Sequence, residues 1–446
     1  MFPLTAPQRR LVCRAAFLTL AFAPTLWIGS WALAWNLPSH ARGYRHALAG
    51  LTGRHVEFRR MVHARPGVTR LHDVELRHPE TGDVILTADV LEATTSGSRL
   101  DIALDRACCQ AGGLAELISA LSEQLSGRWE TAGAEHQLSE IRVLPSQWIL
   151  ASADSGAQTL DDVAIELRMH EAGPQAQLWF RFPDRNRESA APNDARISVV
   201  WARNRDVVPP TTSLVLDTGA AHLPCPLLAA LVPEVALLGS QATFHGSVRL
   251  REDADGWHGT IAGDLRRVPL KQLVGGGSGR ILSGQADFID TSVTLAGGHI
   301  VTAGARLTSP SGTVSRKLLE ALAGCDGMDV RLPSDRHEIY QYNGLSCTAQ
   351  LAVEGVWLTA AAGNGAIMSD VNGAPLILDT AGSVEPLALA VALMPECEVM
   401  VPATPATATV MQWLPLPPTT RSTSPSERIA APNASIKTIR PHRDTD

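Results

Sequence analysis

The chain has 446 residues, of which 45% are hydrophobic and 19% charged, with a formal net charge of -7. That balance excludes wholesale disorder and argues against a dedicated nucleic-acid binder, which needs a basic face. Glycine (36) and proline (29) are near average usage, so a collagen-like or low-complexity body is also excluded.

Arg9, Arg10 and Arg14 precede an uncharged apolar stretch over residues 15–37, long enough to cross the hydrocarbon core of a bilayer as a helix. Pro24 lies inside it, a break that membrane helices tolerate. Trp27, Trp31 and Trp35 gather toward its far end, where indole rings favour the headgroup level. The preceding arginines predict a cytoplasmic N-terminus and export of the rest. Ala32-Leu33-Ala34 also fits the small-x-small rule for cleavage after Ala34, so an uncleaved anchor and a removed signal stand as alternatives. Both export residues from Pro38 onward.

Export bears on the cysteines. Cys108, Cys109, Cys225, Cys325, Cys347 and Cys397 would lie in an oxidising compartment. Three bridges are permitted, and Cys325 with Cys347 is the preferred pair, against buried free thiols.

Beyond Pro38 the dominant pattern has period two, the mark of half-buried strands. Val163, Ile165, Leu167 and Met169 alternate with charged residues; Ala176, Leu178, Phe180 and Phe182 repeat the pattern. Ile197, Val199 and Trp201, then Leu214 and Leu216, continue it. Ala242, Phe244, Val248 and Leu250 lead through an Asp255-Gly256 hairpin signal to Trp257, Ile261 and Leu265. Val293, Leu295 and residues 301–307 extend the series. Short helices are expected at 113–125, 227–238, 313–323 and 386–393. From Pro402 the chain is rich in Pro, Thr, Ser and Arg, and is read as a disordered tail. An apolar helix, a glycine and then an alternating strand recur near residues 45–62, 227–250 and 270–288.

The expected class is therefore mostly β: an N-terminal transmembrane helix, then a curved antiparallel sheet, groove-like, with a few short helices. The expected divisions are residues 1–38 (cytoplasmic stub and anchor), 39–110 (membrane-proximal β segment), 111–400 (β-rich body) and 401–446 (tail).

The anchor followed by Leu48-Ala49-Gly50-Leu51-Thr52-Gly53-Arg54-His55-Val56 resembles the opening of the AsmA-like envelope proteins of double-membraned bacteria. Leu71-His72-Asp73-Val74-Glu75-Leu76 and the block Leu282-Ser283-Gly284-Gln285-Ala286-Asp287-Phe288 are similar to later parts of that pattern. The resemblance implies an inner-membrane, single-pass protein with its bulk in the periplasm, and a curved sheet whose apolar face shelters lipid acyl chains. Candidate groove residues are Val163, Ile165, Leu167, Leu178, Phe180, Phe244, Val248, Leu250 and Ile261. Arg42, Arg45 and Arg54, in a segment dense in arginine and histidine, are candidates for headgroup contact; a solvated strand surface explains the same charges. Expected partners are the inner membrane, lipid, and other envelope proteins or a second copy of the chain.

Chemical motifs are weak. Gly275-Gly276-Gly277-Ser278-Gly279-Arg280 lacks the Gly-Lys-Ser/Thr ending of a phosphate loop. Glu252-Asp253-Ala254-Asp255-Gly256 lacks calcium ligands at its flanks. Asp161-Asp162 and Glu396 with Glu398 read as solvated strand edges. No metal, cofactor or catalytic residue is expected, and the chain is read as non-enzymatic. The alternative is an anchored structural or interaction module whose sheets close as sandwiches and take no ligand.

Overall fold

The computed structural model describes residues 6–35, 38–110, 113, 116–117, 139–152, 156–182, 196–229, 233–274, 279–335, 337–361 and 365–394. They belong to one unit, Met1–Pro415; a second unit, Leu416–Asp446, lies outside the described residues, as does the expected tail.

Helix α1 (Ala6–Phe17), a π-helical turn at Leu18–Phe22 and α2 (Ala23–Trp35) follow one another. Among the described residues, Arg10–Ser30 is long and apolar enough to cross a membrane. The π turn has a local cause. Pro24 carries no N–H and crowds the turn before it, and immediately ahead of it Ala23 donates its N–H to Leu18, five residues back. Thr19 and Ser30 return their hydroxyls to the Ala15 and Trp27 carbonyls, each at 2.9 Å, so neither is left unsatisfied in an apolar setting. Helix α3 (Pro38–Thr52) stops at Gly53, whose φ of 65 suits the left-handed position that ends helices and whose N–H reaches the Ala49 carbonyl at 2.8 Å.

The strands form one sheet. β1 (His55–Glu57) and β2 (Arg60–Arg65) share one side of β3 (Val68–Arg77), which pairs with β4 (Val84–Ser96). β5 (Arg99–Asp105) and β6 (Ala107–Gln110) lie along β4 and then run parallel to β7 (Glu140–Ser152). An antiparallel meander follows through β8 (Gly156–His170), β9 (Gly173–Arg181), β10 (Arg196–Asn204) and β11 (Thr211–Asp217). The short β12 (Leu223–Pro224) continues β11 along β13 (Thr243–Asp253), which leads to β14 (Gly256–Pro269), β15 (Gln285–Ala296) and β16 (His299–Ser309). β17 (Gly312–Ser315) continues β16 along β18 (Ile339–Ala352), and β19 (Gly355–Ala360) and β20 (Ala366–Asp370) share the far side of β18, with β21 (Pro375–Leu378) on β20. At a spacing of about 4.8 Å, these roughly fifteen steps make a sheet on the order of 70 Å wide.

The chain is mostly β, as expected, and its sheet is antiparallel except where β5 and β6 run parallel to β7, which makes it mixed. A parallel neighbour needs a crossover of a dozen or more residues, and the connection over 111–139 supplies it. Alternation reveals which face a residue takes but carries no strand direction.

Six two-residue hairpins, at residues 66–67, 97–98, 171–172, 254–255, 297–298 and 353–354, gather at one end of the strands. The third of the six opposed pairs, His170 with Gly173, shows the tightness of these turns. At residues 254–255 the loop lies one position earlier than the sequence suggests: Gly256 already pairs with Asp253, and Asp253 Oδ1 takes the Asp255 N–H at 3.0 Å. The opposite end carries the helical connections: α4 (Cys225–Ala229), 3-10 turns at Pro233–Leu238 and Leu270–Gln272, and α5 (Arg316–Ala323). α5 begins three residues later than expected, because Thr313 and Val314 remain in β17 and Ser315 caps the helix through the Leu318 N–H. α6 occupies Pro386–Leu393, as its proline start predicts. Of the expected helix at 113–125, Gly113, Glu116 and Leu117 are helical and the remainder lies outside the described residues.

A device recurs within the strands. Asp73, Arg106, Asp162, Arg267 and Asp290 all have φ between 50 and 57. Each marks an interruption or register shift of the ladder. The extra residue reverses the alternation, so the residues two before and one after turn to the same side: Leu71 with Val74, Leu104 with Ala107 and Leu160 with Val163 are all buried. The bulges on β14 and β15 support one another, since Arg267 N–H donates to Asp287 at 2.8 Å and Asp290 N–H to Asp264 at 3.0 Å.

Four groups of buried residues hold the sheet. The largest, around Trp148, Leu160, Phe180, Ile197 and Phe244, runs from β4 to β14 and includes Leu227 of α4. A second joins Val314, Leu318, Leu319, Tyr342 and Leu376, with α6 packed on it. A third seats Ala41, Tyr44 and Leu48 of α3 on Val56, Leu71, Val74 and Ile85. The fourth is the pair Leu167 and Ala176, with Ile141 and Trp201.

The left-handed bulge positions predict an asymmetric response to substitution. Asp290→Val, a β-branched residue at positive φ, is expected to lower stability by about 1–2 kcal/mol, whereas Asp290→Gly stays within a few tenths; urea unfolding of the two variants checks this.

Candidate functional site: an apolar face of the sheet

Cross-strand register lines up apolar side chains in rows that run across the strands. One row passes through Ile102, Val143, Ile165, Leu178, Val199, Leu216, Val248, Ile261, Val293, Ala303, Leu351 and Val356, each directly opposite the next. A second row, two residues along, takes Leu167, Ala176, Trp201, Leu214, Leu250, Gly259, Leu295 and Ile300. On the reverse face, Arg249, Thr260, Thr294 and Thr302 form the matching row, and all four are exposed. Adjacent residues thus face opposite environments.

The rows are not covered equally. Val163, Leu167, Leu178, Phe180 and Phe244 are buried within the protein's own clusters, so these five groove candidates are core residues and not an accessible surface. Ile165, Val248 and Ile261 are half-buried and pack at the margin of the largest cluster. Leu250 is half-buried and belongs to none of the four clusters. It has company: Leu214, Val293, Leu295, Ile300, Ala303 and Leu351 are likewise half-buried and outside every cluster. Together they form a contiguous patch from β11 to β18, with Gly259 between Leu250 and Leu295. A Cβ on Gly259 would come within 2.0 Å of the Arg249 carbonyl oxygen, so that position stays without a side chain and leaves a gap in the row. Most of this patch escaped the candidate list drawn from the sequence. The same alternation marks it, but periodicity does not say which apolar residues the helices cover.

The three basic candidates separate in the structure. Arg42 is exposed on α3. Arg45 is half-buried, its guanidinium 4.7 Å from the centre of the Phe58 ring and donating to the Phe58 carbonyl at 3.0 Å. Arg54 is only 7% exposed and donates to Glu116 Oε2 at 2.9 Å, with His78 at 3.6 Å from the same oxygen. Arg54 is therefore a buried ion-pair partner and not a headgroup contact; the chain turns inward at the Gly53 helix stop and places it beneath residue 116.

Cys325 and Cys347 are free thiols, which corrects the expected bridge, and the other described cysteines are free as well; Cys397 lies outside the described residues. Cys325 and Cys347 belong to the second cluster, where Cys325 Sγ sits 3.6 Å from both the Ala321 and Ala388 carbonyls. Burial pushes Cys347 up to about 11 and Cys225 up to about 12; burial, with Cys108 alongside, does the same for Cys109. Such thiols are poor nucleophiles and metal ligands.

The carboxylates are engaged structurally. Asp161 accepts from Gln147 at 2.8 Å, and Asp162 occupies a bulge 3.4 Å from Arg181. Glu140, Arg142, Glu166 and Arg168 form a crossed quartet on the polar face of β7 and β8, at 2.7 Å for Arg142–Glu140, 2.9 Å for Arg168–Glu140 and 3.0 Å for Arg142–Glu166, with Arg168 also on Glu166. Burial would raise the Glu140 carboxyl, but hydrogen bonds from Arg168 and Arg142 outweigh it and hold the group down at about 2. Among the described residues, no three His, Cys, Asp or Glu side chains are grouped to hold a metal ion.

Comparison of the chain with protein-family models, with curated proteins and with solved structures finds no match.

Two outcomes follow from this chemistry. At pH 7.5 a maleimide should modify half-exposed Cys108 while Cys109, Cys225, Cys325 and Cys347 react only after unfolding, with no Cys325–Cys347 peptide under non-reducing mass spectrometry. The depressed Glu140 carboxyl contributes stability that is complete above its ordinary value of 4.5 and lost as pH falls toward about 2. Thermal melts should therefore show wild type above Glu140→Gln at neutral pH and the two converging near pH 2.

Proposed function

We propose that this is an inner-membrane-anchored, non-enzymatic envelope protein whose apolar sheet face binds the acyl chains of lipids, in the manner its resemblance to AsmA-like proteins implies. The observation that carries the reading is the in-register patch of Leu214, Leu250, Val293, Leu295, Ile300, Ala303 and Leu351, half-buried and outside every cluster of the core. An apolar surface of this kind marks a place where another apolar body rests. Two further features support it. The chain carries a helix long and apolar enough for a membrane, with arginines ahead of it that favour a cytoplasmic N-terminus and a periplasmic body. Binding along rows of aliphatic side chains needs no catalytic group, only the removal of apolar surface from water. Because the rows cross the strands, an acyl chain lying along them would run in the hydrogen-bonding direction of the sheet. A width on the order of 70 Å suits action close to the anchoring membrane or assembly with partners.

The alternation of the two faces supplies the test. A photoreactive benzoylphenylalanine placed at Leu295 or Ile300 of the full chain in native membranes is expected to give lipid adducts by mass spectrometry. The same residue at Thr294 or Thr302, one position away in sequence but on the reverse face, is expected to give few. Equal yields from both faces, or none from either, would remove the lipid reading and leave the anchored interaction module.

A further inference from the structure

Rows of aliphatic side chains can hold the tail of a lipid without saying which way round it lies. We infer that Arg203, steadied by Thr212, holds the anionic head of a long-chain lipid at the β10 end of the patch, with the tail directed toward β16. This deepens the acyl-chain reading of the patch and rests on it.

Three observations carry the assignment. First, register puts a cation on the apolar face. Arg203 pairs with Thr212, Thr212 with Glu252 and Glu252 with Trp257. This third row lies two residues beyond Trp201, Leu214, Leu250 and Gly259, so it shares their face. Arg203 is half-buried, and among the described residues it donates to the Thr212 hydroxyl at 3.1 Å and has no carboxylate in ion-pair range. The arginines of the polar face differ: Arg142 and Arg168 each engage two glutamates. A guanidinium partly withdrawn from water favours an anion beside it, and its planar fork of donors matches carboxylate or phosphate oxygens. Thr212 is only 3% exposed, so the hydroxyl that steadies Arg203 is itself fixed in place.

Second, the patch runs away from this cation for the length of a tail. Leu214, Leu250, Leu295 and Ile300 follow one another from β11 to β16, with the Gly259 gap between Leu250 and Leu295. Four strand steps span about 19 Å, the reach of an extended long-chain fatty tail. The far end closes on Ala303, Leu351 and Val356, which carry no charge.

Third, Glu252 sets the polarity. It is exposed, in the same row, on the side of Thr212 away from Arg203. At the strand spacing it stands on the order of 10 Å from Arg203. Its carboxylate repels an anionic head from β13 and leaves the β10–β11 side as the place where one is held.

The experiment uses the full chain in non-ionic detergent micelles. The probes are a long-chain fatty acid carrying a diazirine near the end of its tail and the alcohol of the same tail, at a pH that keeps the carboxylate charged. Irradiation is expected to place the acid on peptides containing Leu295 or Ile300, with a yield several-fold above that of the alcohol. Arg203→Gln is expected to bring the acid down to the level of the alcohol and leave the alcohol unchanged. Glu252→Gln, an exposed position tolerant of change, is expected to raise the yield of the acid alone. Butyrate, which has the head without the tail, is expected not to compete. Equal yields from acid and alcohol in the wild type, a preference that neither variant moves, or tail adducts confined to peptides of β10 and β11 would overturn the head-group assignment while leaving acyl-chain binding intact. Competition by butyrate as strong as by oleate would mark a site for free anions and overturn it likewise. No adduct at the patch from either probe would remove the acyl-chain reading itself, so the two failures are distinct.

Discussion

The structure depends on cross-strand register. Each strand alone offers a few apolar residues on one face; only because Leu216 meets Val248, Val248 meets Ile261 and Ile261 meets Val293 do those residues become continuous rows. A slip of one residue on any strand would turn its apolar set to solvent and bring charged or threonine side chains into the row. The clusters of the core, the polar reverse face and the uncovered patch are all consequences of the same alignment.

Keeping that alignment over a wide sheet creates a problem that the bulges solve. Strands long enough to reach from the hairpin end to the helical end twist, and a strict alternation would lose contact with the layer beneath. Inserting one residue in the left-handed conformation bends the strand and resets which residues face inward. Asp and Arg occupy these positions, and neighbouring side chains satisfy the backbone groups that the ladder drops, as Asp264 and Asp287 do on β14 and β15. Next to the parallel junction, the antiparallel pair β7 and β8 carries the crossed ion pairs of Glu140, Arg142, Glu166 and Arg168 on its polar face. Isolated surface pairs contribute little, but several charges sharing partners across two adjacent strands reinforce one register.

Coverage is what divides core from candidate site. At the helical end of the strands, α4, α5 and α6 close over Phe244, Leu307 and Cys347. Toward the hairpin end the turns joining β13 to β14 and β15 to β16 are two residues long, and Leu250, Leu295 and Ile300 beside them stay half-buried. Of the groove candidates, Val163, Leu167, Leu178, Phe180 and Phe244 fell on the covered side, Ile165, Val248 and Ile261 at the margin, and Leu250 in the open patch. An aliphatic side chain in an open row and one in a sealed row look identical in sequence.

Much of this was legible in the amino-acid order because its signals are local. A run of apolar residues behind arginines specifies a span; alternation over residues 163–169 or 244–250 specifies a half-buried strand; a proline at 386 specifies a helix start. Interactions between distant residues were decided only by the tertiary structure. Phe288 and Val293, which strict alternation would put on opposite faces, share one because the bulge at Asp290 resets the count. Arg54 looked like a surface cation until Glu116 was brought to it, and Cys325 and Cys347 share a core cluster without bonding to each other. The physical reason is the same in each case: side-chain period and chain polarity are properties of a few neighbouring residues, whereas burial, pairing and cover depend on segments that meet only when the sheet has formed.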